Sequence, residues 1–285
     1  MRPRMYKSLV VLVCVSVMMF GSGCARKHLN ENPETVEPKQ NYDTIYKLSE
    51  ADTNVSMENA EEIIFEKEQD VYVIQKAGDY LLRGKHKGQI QVDVQDEVVH
   101  LILDNVEMES VSGPVIYVES ASKVVITIPE GSVSNLTDSA YYDSDTNAKA
   151  CIYSESDLTF NGGGSLQVHG YYKDAIRTKD VLKLLDINLA VEAKNNGLRG
   201  NDGVVIQTKE LEIQCEGTGI YTEKKDKENQ GFVDIGAGTV VIIAGEYGVQ
   251  AAENIYIHDC KADVYGIIEN LSCEGELVVE EGCLE

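Results

Sequence analysis

The chain has 285 residues, with 25 Lys and Arg against 48 Asp and Glu, for a formal net charge of −23. That surplus excludes an electrostatic grip on nucleic acid or on an anionic membrane surface, since both need clustered cations. Hydrophobic residues make up 43%, enough for a core, and with no Trp and 4 Phe against 15 Tyr any aromatic platform is built from Tyr.

At the start of the chain, Arg2, Arg4 and Lys7 precede an apolar run from Leu9 to Phe20, and Gly21-Ser22-Gly23 lead into Cys24. The run is short for a bilayer span but suits a cleaved export signal. A Cys directly after small residues is similar to a bacterial lipoprotein lipobox, with Gly21 where Leu is usual. This predicts removal of residues 1–23, acylation of Cys24, and membrane contact through that lipid anchor only. The protein is then expected on the outer side of a bacterial cell membrane, facing the periplasm where there is an outer membrane. Cleavage removes three cations and no acid, leaving a net charge of −26.

Residues 24–60 are polar, carry Pro33 and Pro38, and show no apolar period; they read as a flexible tether. From Val71 the texture changes to short alternating runs such as Gln89 to Val94, Val98 to Leu103 and Val124 to Ile128, punctuated by Gly, Asn and Asp. These are period-2 strands. Cys151, Cys215, Cys260, Cys273 and Cys283 lie in this part, an odd number without a Cys-x-x-Cys pair. That pattern predicts buried thiols, not a zinc knuckle or a full disulfide framework.

The strands repeat. Anchors at Ile152, Ile176, Leu198, Ile220 and Val249 are spaced by 24, 22, 22 and 29 residues. Apolar pairs follow four of them, at Leu158/Phe160, Leu182/Leu184, Val204/Ile206 and Ile255/Ile257. Others precede an anchor, at Leu166/Val168, Leu189/Val191, Leu211/Ile213 and Val240/Ile242. A three-strand unit of this size cannot bury its own apolar side chains; stacking it on copies of itself does. The expected fold is all-β, a parallel β-helix over residues 61–285, a solenoid with three strands per turn of about 22 residues and roughly ten turns. Ser132 to Lys149 and Glu223 to Asn229 interrupt the register and are expected as surface loops. The residues after Cys260 have no firm register and are expected to cap the last strand.

The motif string resembles a family. Ala77-Gly78-Asp79-Tyr80-Leu81-Leu82-Arg83-Gly84, Gly113-Pro114-Val115-Ile116-Tyr117-Val118, Cys151 to Gly162, Tyr172 to Ile176 and Asn196 to Asp202 follow one another as in a bacterial carbohydrate-binding parallel β-helix family of clostridial secreted and surface proteins. The likeness covers about residues 70 to 257. It implies a right-handed, pectate-lyase-like β-helix that binds polysaccharide such as cellulose or pectin, with calcium, and acts as a binding module. The acidic corner pattern is incomplete, because Thr218 and Tyr247 stand where the family tends to place acids. Asp174, Asp180, Asn196 and Asp202 are the remaining candidate calcium ligands, since calcium takes six to eight oxygens.

The residue after each anchor should point outward, which predicts a ligand-binding ladder of Tyr153, Arg177, Arg199 and Tyr221, with Tyr117 as an earlier rung. Adjacent rungs about 4.8 Å apart suit a sugar chain, with Tyr faces for C–H surfaces and Arg forks for carboxylates and hydroxyls. No catalytic residue is assigned: His28, His86, His100, His169 and His258 are scattered and form no hydrolase or metalloprotease motif. The expected function is therefore non-catalytic polysaccharide binding at the cell surface, by a monomer. A calcium-dependent pectate-type lyase, with a cation such as Arg177, Lys179 or Arg199 as base, and a structural rod with a protein partner are the alternatives.

Overall fold

The computed structural model describes residues 46–64, 70–142 and 147–285. The leader, Cys24 and most of the expected tether lie outside these residues. The described part is built almost wholly of parallel strands hydrogen-bonded to the corresponding strand one circuit before and one circuit after.

One narrow sheet contains Ile116–Ser120, Ala150–Ser154, Asp174–Thr178, Leu198–Gly200, Ile220–Tyr221, Tyr247–Ala251 and Glu269–Cys273 in that spatial order. The anchors fall in register as expected: Ile152 opposes Ile176, Ile176 opposes Leu198, Leu198 opposes Ile220, and Ile220 opposes Val249. All five are fully buried. The other apolar columns are also in register, with Phe160 on Leu184 and Leu184 on Ile206 in one ladder, Leu189 on Leu211 and Leu211 on Val240 in another. Together they form a single core. Each Ile, Leu or Val placed there contributes about 1.5–3 kcal/mol of burial, which no circuit could obtain alone.

The expectation of a right-handed parallel β-helix with three separate strands in each turn of about 22 residues is corrected by the pairing pattern. The strands close into two sheets instead of three. Val98–Glu109, Gly203–Cys215 and Phe232–Ala244 run unbroken from one ladder into the next within one broad sheet, and Gly78–Asp93 runs through that sheet into the narrow one. The molecule is thus a closed shell of parallel strands made from one broad and one narrow sheet. The bend is supplied by register shifts at Arg83/Gly84 and between Ile206 and Glu210, with Gly84 at φ 82° and Gly238 at φ 87°. A bulge turns a strand without ending it. At Gly238 an added Cβ would lie 2.1 Å from the Thr208 carbonyl oxygen, so only glycine fits.

Residues 46–60, expected as the end of a tether, run with 61–63 as a strap across the outer face of the broad sheet. Tyr46 stacks on Phe232 with ring centres 6.3 Å apart and accepts a hydrogen bond from Gln207. A short helix, Glu50–Thr53, follows Ser49, whose backbone N–H donates to Asp52 Oδ2 at 2.8 Å while its Oγ accepts from the Asp52 N–H. Asp52 is fully buried: its Oδ1 accepts from Thr159 Oγ1 at 2.6 Å and Lys123 Nζ at 2.7 Å, and Lys183 Nζ lies 3.5 Å from Oδ2. Asn161 Nδ2 donates to the carbonyls of Asp52 and Asn54, both at 2.9 Å. The strap ends as Glu61–Glu62, paired beside Tyr80 and Leu81.

Candidate functional site

Sheet topology positions one outward row on the narrow sheet. Gln91, Tyr117, Tyr153, Arg177, Arg199, Tyr221 and Gln250 are consecutive register partners. The row lies between two loops. Residues 147–149 enter the sheet at Ala150–Ser154, and residues 222–231 leave it after Ile220–Tyr221, so they stand at opposite margins of the same floor. Ser132 to Thr137, expected as part of the first loop, continue the broad sheet, with Val133–Thr137 beside Ser165–Gly170.

The first loop is fastened by Asp138. Its Oδ2 accepts from Tyr142 OH at 2.6 Å and its Oδ1 from the Tyr171 N–H at 2.6 Å. Tyr142 stacks on Tyr172 at 4.1 Å between ring centres and donates also to the Ala150 carbonyl at 2.8 Å. Burial pushes the Asp138 carboxyl up to about 6, against the opposing pull of its donors Tyr142, Tyr171 and Tyr172. An unfolded Asp gives up its proton near pH 3.8, whereas the folded one holds it to about 6. Stability therefore falls as pH rises from 4 to 6 and is level above, a loss of about 3 kcal/mol. Asp138→Asn mimics the neutral acid, so its melting temperature relative to the parent is expected to rise between pH 4 and pH 7. A difference that stays constant with pH would contradict this.

Tyr153 was expected as an exposed rung and is not one. It is 1% exposed, packed with Ala148, Ala150 and Tyr117, and its hydroxyl donates to Glu155 Oε1 at 2.8 Å. Its role is support, because the Arg177 guanidinium lies over its ring at 5.8 Å. Arg199 mirrors this arrangement by leaning on Tyr221 at 5.0 Å. Each contact contributes about 0.5–2 kcal/mol and draws the two stacked guanidinium groups apart, each toward the Tyr on its far side.

The two arginines differ in pairing. Arg199 donates to Asn201 Oδ1 at 3.1 Å and is ion-paired with Glu223; Arg83, on the broad sheet, is paired with Asp104. Arg177 has no hydrogen bond or ion pair among the described residues, and its buried Nε is unpartnered. Nearby Lys179 is taken by Glu155 at 2.6 Å. In a chain with nearly twice as many acids as bases, this guanidinium meets no acid among the described residues.

The four residues expected to ligate calcium do not converge. Asp174 and Asn196 sit at the entry to their narrow-sheet strands, Asp180 and Asp202 beyond the exits, about 20 Å away along an extended chain. Asp174 Oδ1 accepts from Asn195 Nδ2 at 2.7 Å and from the Asn196 N–H at 3.1 Å, and Asn196 Oδ1 accepts from the Thr218 N–H at 3.1 Å. These are stacked corner caps. Asp202 is held by Lys224 at 2.9 Å and Gln230 at 2.7 Å. Burial raises the Asp180 carboxyl, helped by the charges of Asp157 and Asp202. Among the described residues no group of three or more His, Cys, Asp or Glu is placed to share a metal ion. The set does not fit a common calcium site.

A depression of about 380 Å³ lies beyond the second loop, lined by Lys225, Asp226, Glu228, Phe232, Glu253 and Tyr256. It includes no rung of the ladder, and a chain-like ligand calls for an open floor more than for a pocket.

Residues 68–274 match the family described as carbohydrate-binding domain-containing protein. A protein of that description from Acetivibrio thermocellus is 32% identical over 219 residues, covering 74% of this chain and 76% of the relative. The solved structure of a polysaccharide lyase-like protein from C. thermocellum, a gadolinium derivative, is similar with a TM-score of 0.73 and 33% identity, over 75% of this chain and 89% of that one.

Proposed function

The chain belongs to the carbohydrate-binding domain-containing family, and from that premise we propose that the outer face of the narrow sheet holds an acidic polysaccharide without cleaving it. The observation that carries this reading is Arg177, a guanidinium without an ion pair among the described residues, resting on a Tyr in the middle of a row of register partners. A uronate carboxylate supplies the planar, two-oxygen acceptor that a guanidinium fork matches. Tyr117 and Tyr221, both partly exposed, offer faces to sugar C–H surfaces on either side, and Gln91 and Gln250 extend the row with amides for hydroxyls.

Of the three cations considered as a base, Lys179 and Arg199 are engaged with Glu155 and Glu223. This favours binding over lyase chemistry. The leader-like residues 1–23 and Cys24 support placement at the bacterial surface on a lipid anchor, where such polymers are met.

Calorimetric titration of the full chain with oligogalacturonate and with cello-oligosaccharide is the test. Binding of the uronate oligomer, with at least about tenfold preference over the neutral one for a single charge-assisted contact, is the expected result, with no unsaturated product formed. Equal affinity for both, or accumulation of unsaturated uronate, would overturn the proposal.

A further inference from the structure

The last circuit carries two thiols that neither the ladder nor the strap uses. Cys260 opens the strand Cys260–Gly266 and Cys283 lies in the C-terminal turn; they are 9% and 5% exposed and both belong to the apolar core. The tail returns alongside that strand. The Ala262 N–H donates to the Cys283 carbonyl at 2.7 Å, the Glu285 N–H donates to the Ala262 carbonyl at 3.0 Å, and Ala262 and Leu284 form a parallel bridge. In this register Cys260 stands two residues before Ala262 and Cys283 one before its bridge partner Leu284, with both side chains packed into the same core. The other cysteines are placed differently: Cys215 donates to the Gly217 carbonyl at 3.6 Å, Cys273 to the Gly275 and Glu276 carbonyls, and Cys151 is enclosed.

The geometry points to a redox staple, in which Cys260 and Cys283 join as a disulfide that locks the C-terminal turn over the open end of the core. The oxidant is a disulfide, small-molecule or protein-borne. One Cys thiolate attacks a sulfur of that donor and expels a thiolate, giving a mixed disulfide. The second Cys thiolate then attacks the sulfur of the first, forming the Cys–Cys bond and releasing the other half of the donor as a thiol. Two electrons and two protons pass to the donor. Burial and the neighbouring thiol raise the Cys260 thiol in the closed state, so the exchange proceeds while the tail of the folded chain is frayed open.

The position explains the use. Leu277–Val279 is the last strand of its ladder and pairs on one side only, with Ile255–Ile257. An end strand with a free edge is a pairing hazard, and the turn that carries Cys283 follows it directly. Tying Cys283 to Cys260 fixes that tail across the end.

The test uses the full chain carrying Cys273→Ser, which leaves Cys260 as the only cysteine of tryptic peptide 228–261 and Cys283 as the only one of 262–285. Native protein is equilibrated with oxidised or with reduced glutathione and digested without reductant. The expected result is a linked pair of these two peptides after oxidation, and exchange of the Ala262 and Glu285 amides slowed by about tenfold or more relative to the reduced chain. No linkage, linkage formed only from urea-unfolded chain, Cys260 joined to another cysteine, or unchanged amide exchange would each overturn it.

Discussion

Arg177→Ala is expected to weaken binding of a uronate oligosaccharide by about 10- to 100-fold, the loss of one charge-assisted contact worth about 1.5–3 kcal/mol. The fold should be spared, because the side chain makes no hydrogen bond or ion pair with the described residues and its removal strands no partner. Arg199→Ala is the internal comparison. That guanidinium is already engaged by Glu223 and Asn201, so its removal should cost less affinity although the two side chains are register neighbours. Calorimetry on both variants, with melting temperatures recorded alongside, measures the contrast. Equal losses would show that the ladder acts only as a generic positive strip.

Asp52→Ala carries the largest expected effect on stability. Alone, burial would raise this carboxyl, but hydrogen bonds from Lys123, Thr159 and the Ser49 N–H and the charge of Lys183 outweigh it and hold it well below the usual range. Its contribution is present at neutral pH and is lost only as pH falls through that depressed value. Removing the carboxylate leaves the Lys183 side chain, 5% exposed, and the Lys123 side chain, 12% exposed, without their buried counter-charge. Breaking such a pair costs about 3–5 kcal/mol, or roughly a 10 °C lower melting temperature for a domain of this size. Replacing all three charged members by apolar residues, as in Asp52→Leu with Lys123→Met and Lys183→Met, should recover part of the loss. A drop of under about 2 °C for Asp52→Ala would contradict the role given to the strap.

Sequence periodicity made the core legible. Ile152, Ile176, Leu198, Ile220 and Val249 stand at near-constant spacing, and the structure places each on the next, because parallel stacking gives equivalent residues equivalent surroundings. The same register located Arg177 and Arg199 correctly. The division into sheets was not legible, since the bends at Arg83/Gly84 and between Ile206 and Glu210 are bulges, and a bulge leaves the alternation on either side intact. Tyr153 was misjudged for a related reason: register tells which way a side chain leaves the sheet, but not that Ala148 and Ala150 will cover it.

The strap was hidden by its own chemistry. It is short, polar and Pro-free from Tyr46 onward, and its grip is hydrogen bonds and ion pairs instead of an apolar stripe. A signal did exist on the receiving face. His100, Thr127, Thr159, Asn161 and Lys183 share neighbouring outward positions on successive circuits and are all buried. His100 Nδ1 lies 2.9 Å from Asp79 Oδ1 and its Nε2 lies 2.6 Å from Thr127 Oγ1. A row of mostly uncharged hydrogen-bonding residues, where a solvated face would carry Lys and Glu, marks a surface that another segment covers. The corner acids carry the same ambiguity: Asp and Asn at corners favour the turn itself by holding nearby backbone N–H groups, and Asp174 and Asn196 do so.

Amide hydrogen exchange of the full chain with and without saturating oligogalacturonate locates the bound polymer directly. The prediction is slowed exchange confined to the narrow-sheet strands Asp174–Thr178, Leu198–Gly200 and Ile220–Tyr221 and the loops at 138–149 and 222–231, with the broad sheet unchanged. Protection on the broad sheet, or none on the strands that carry Arg177 and Arg199, would contradict the assignment of this face.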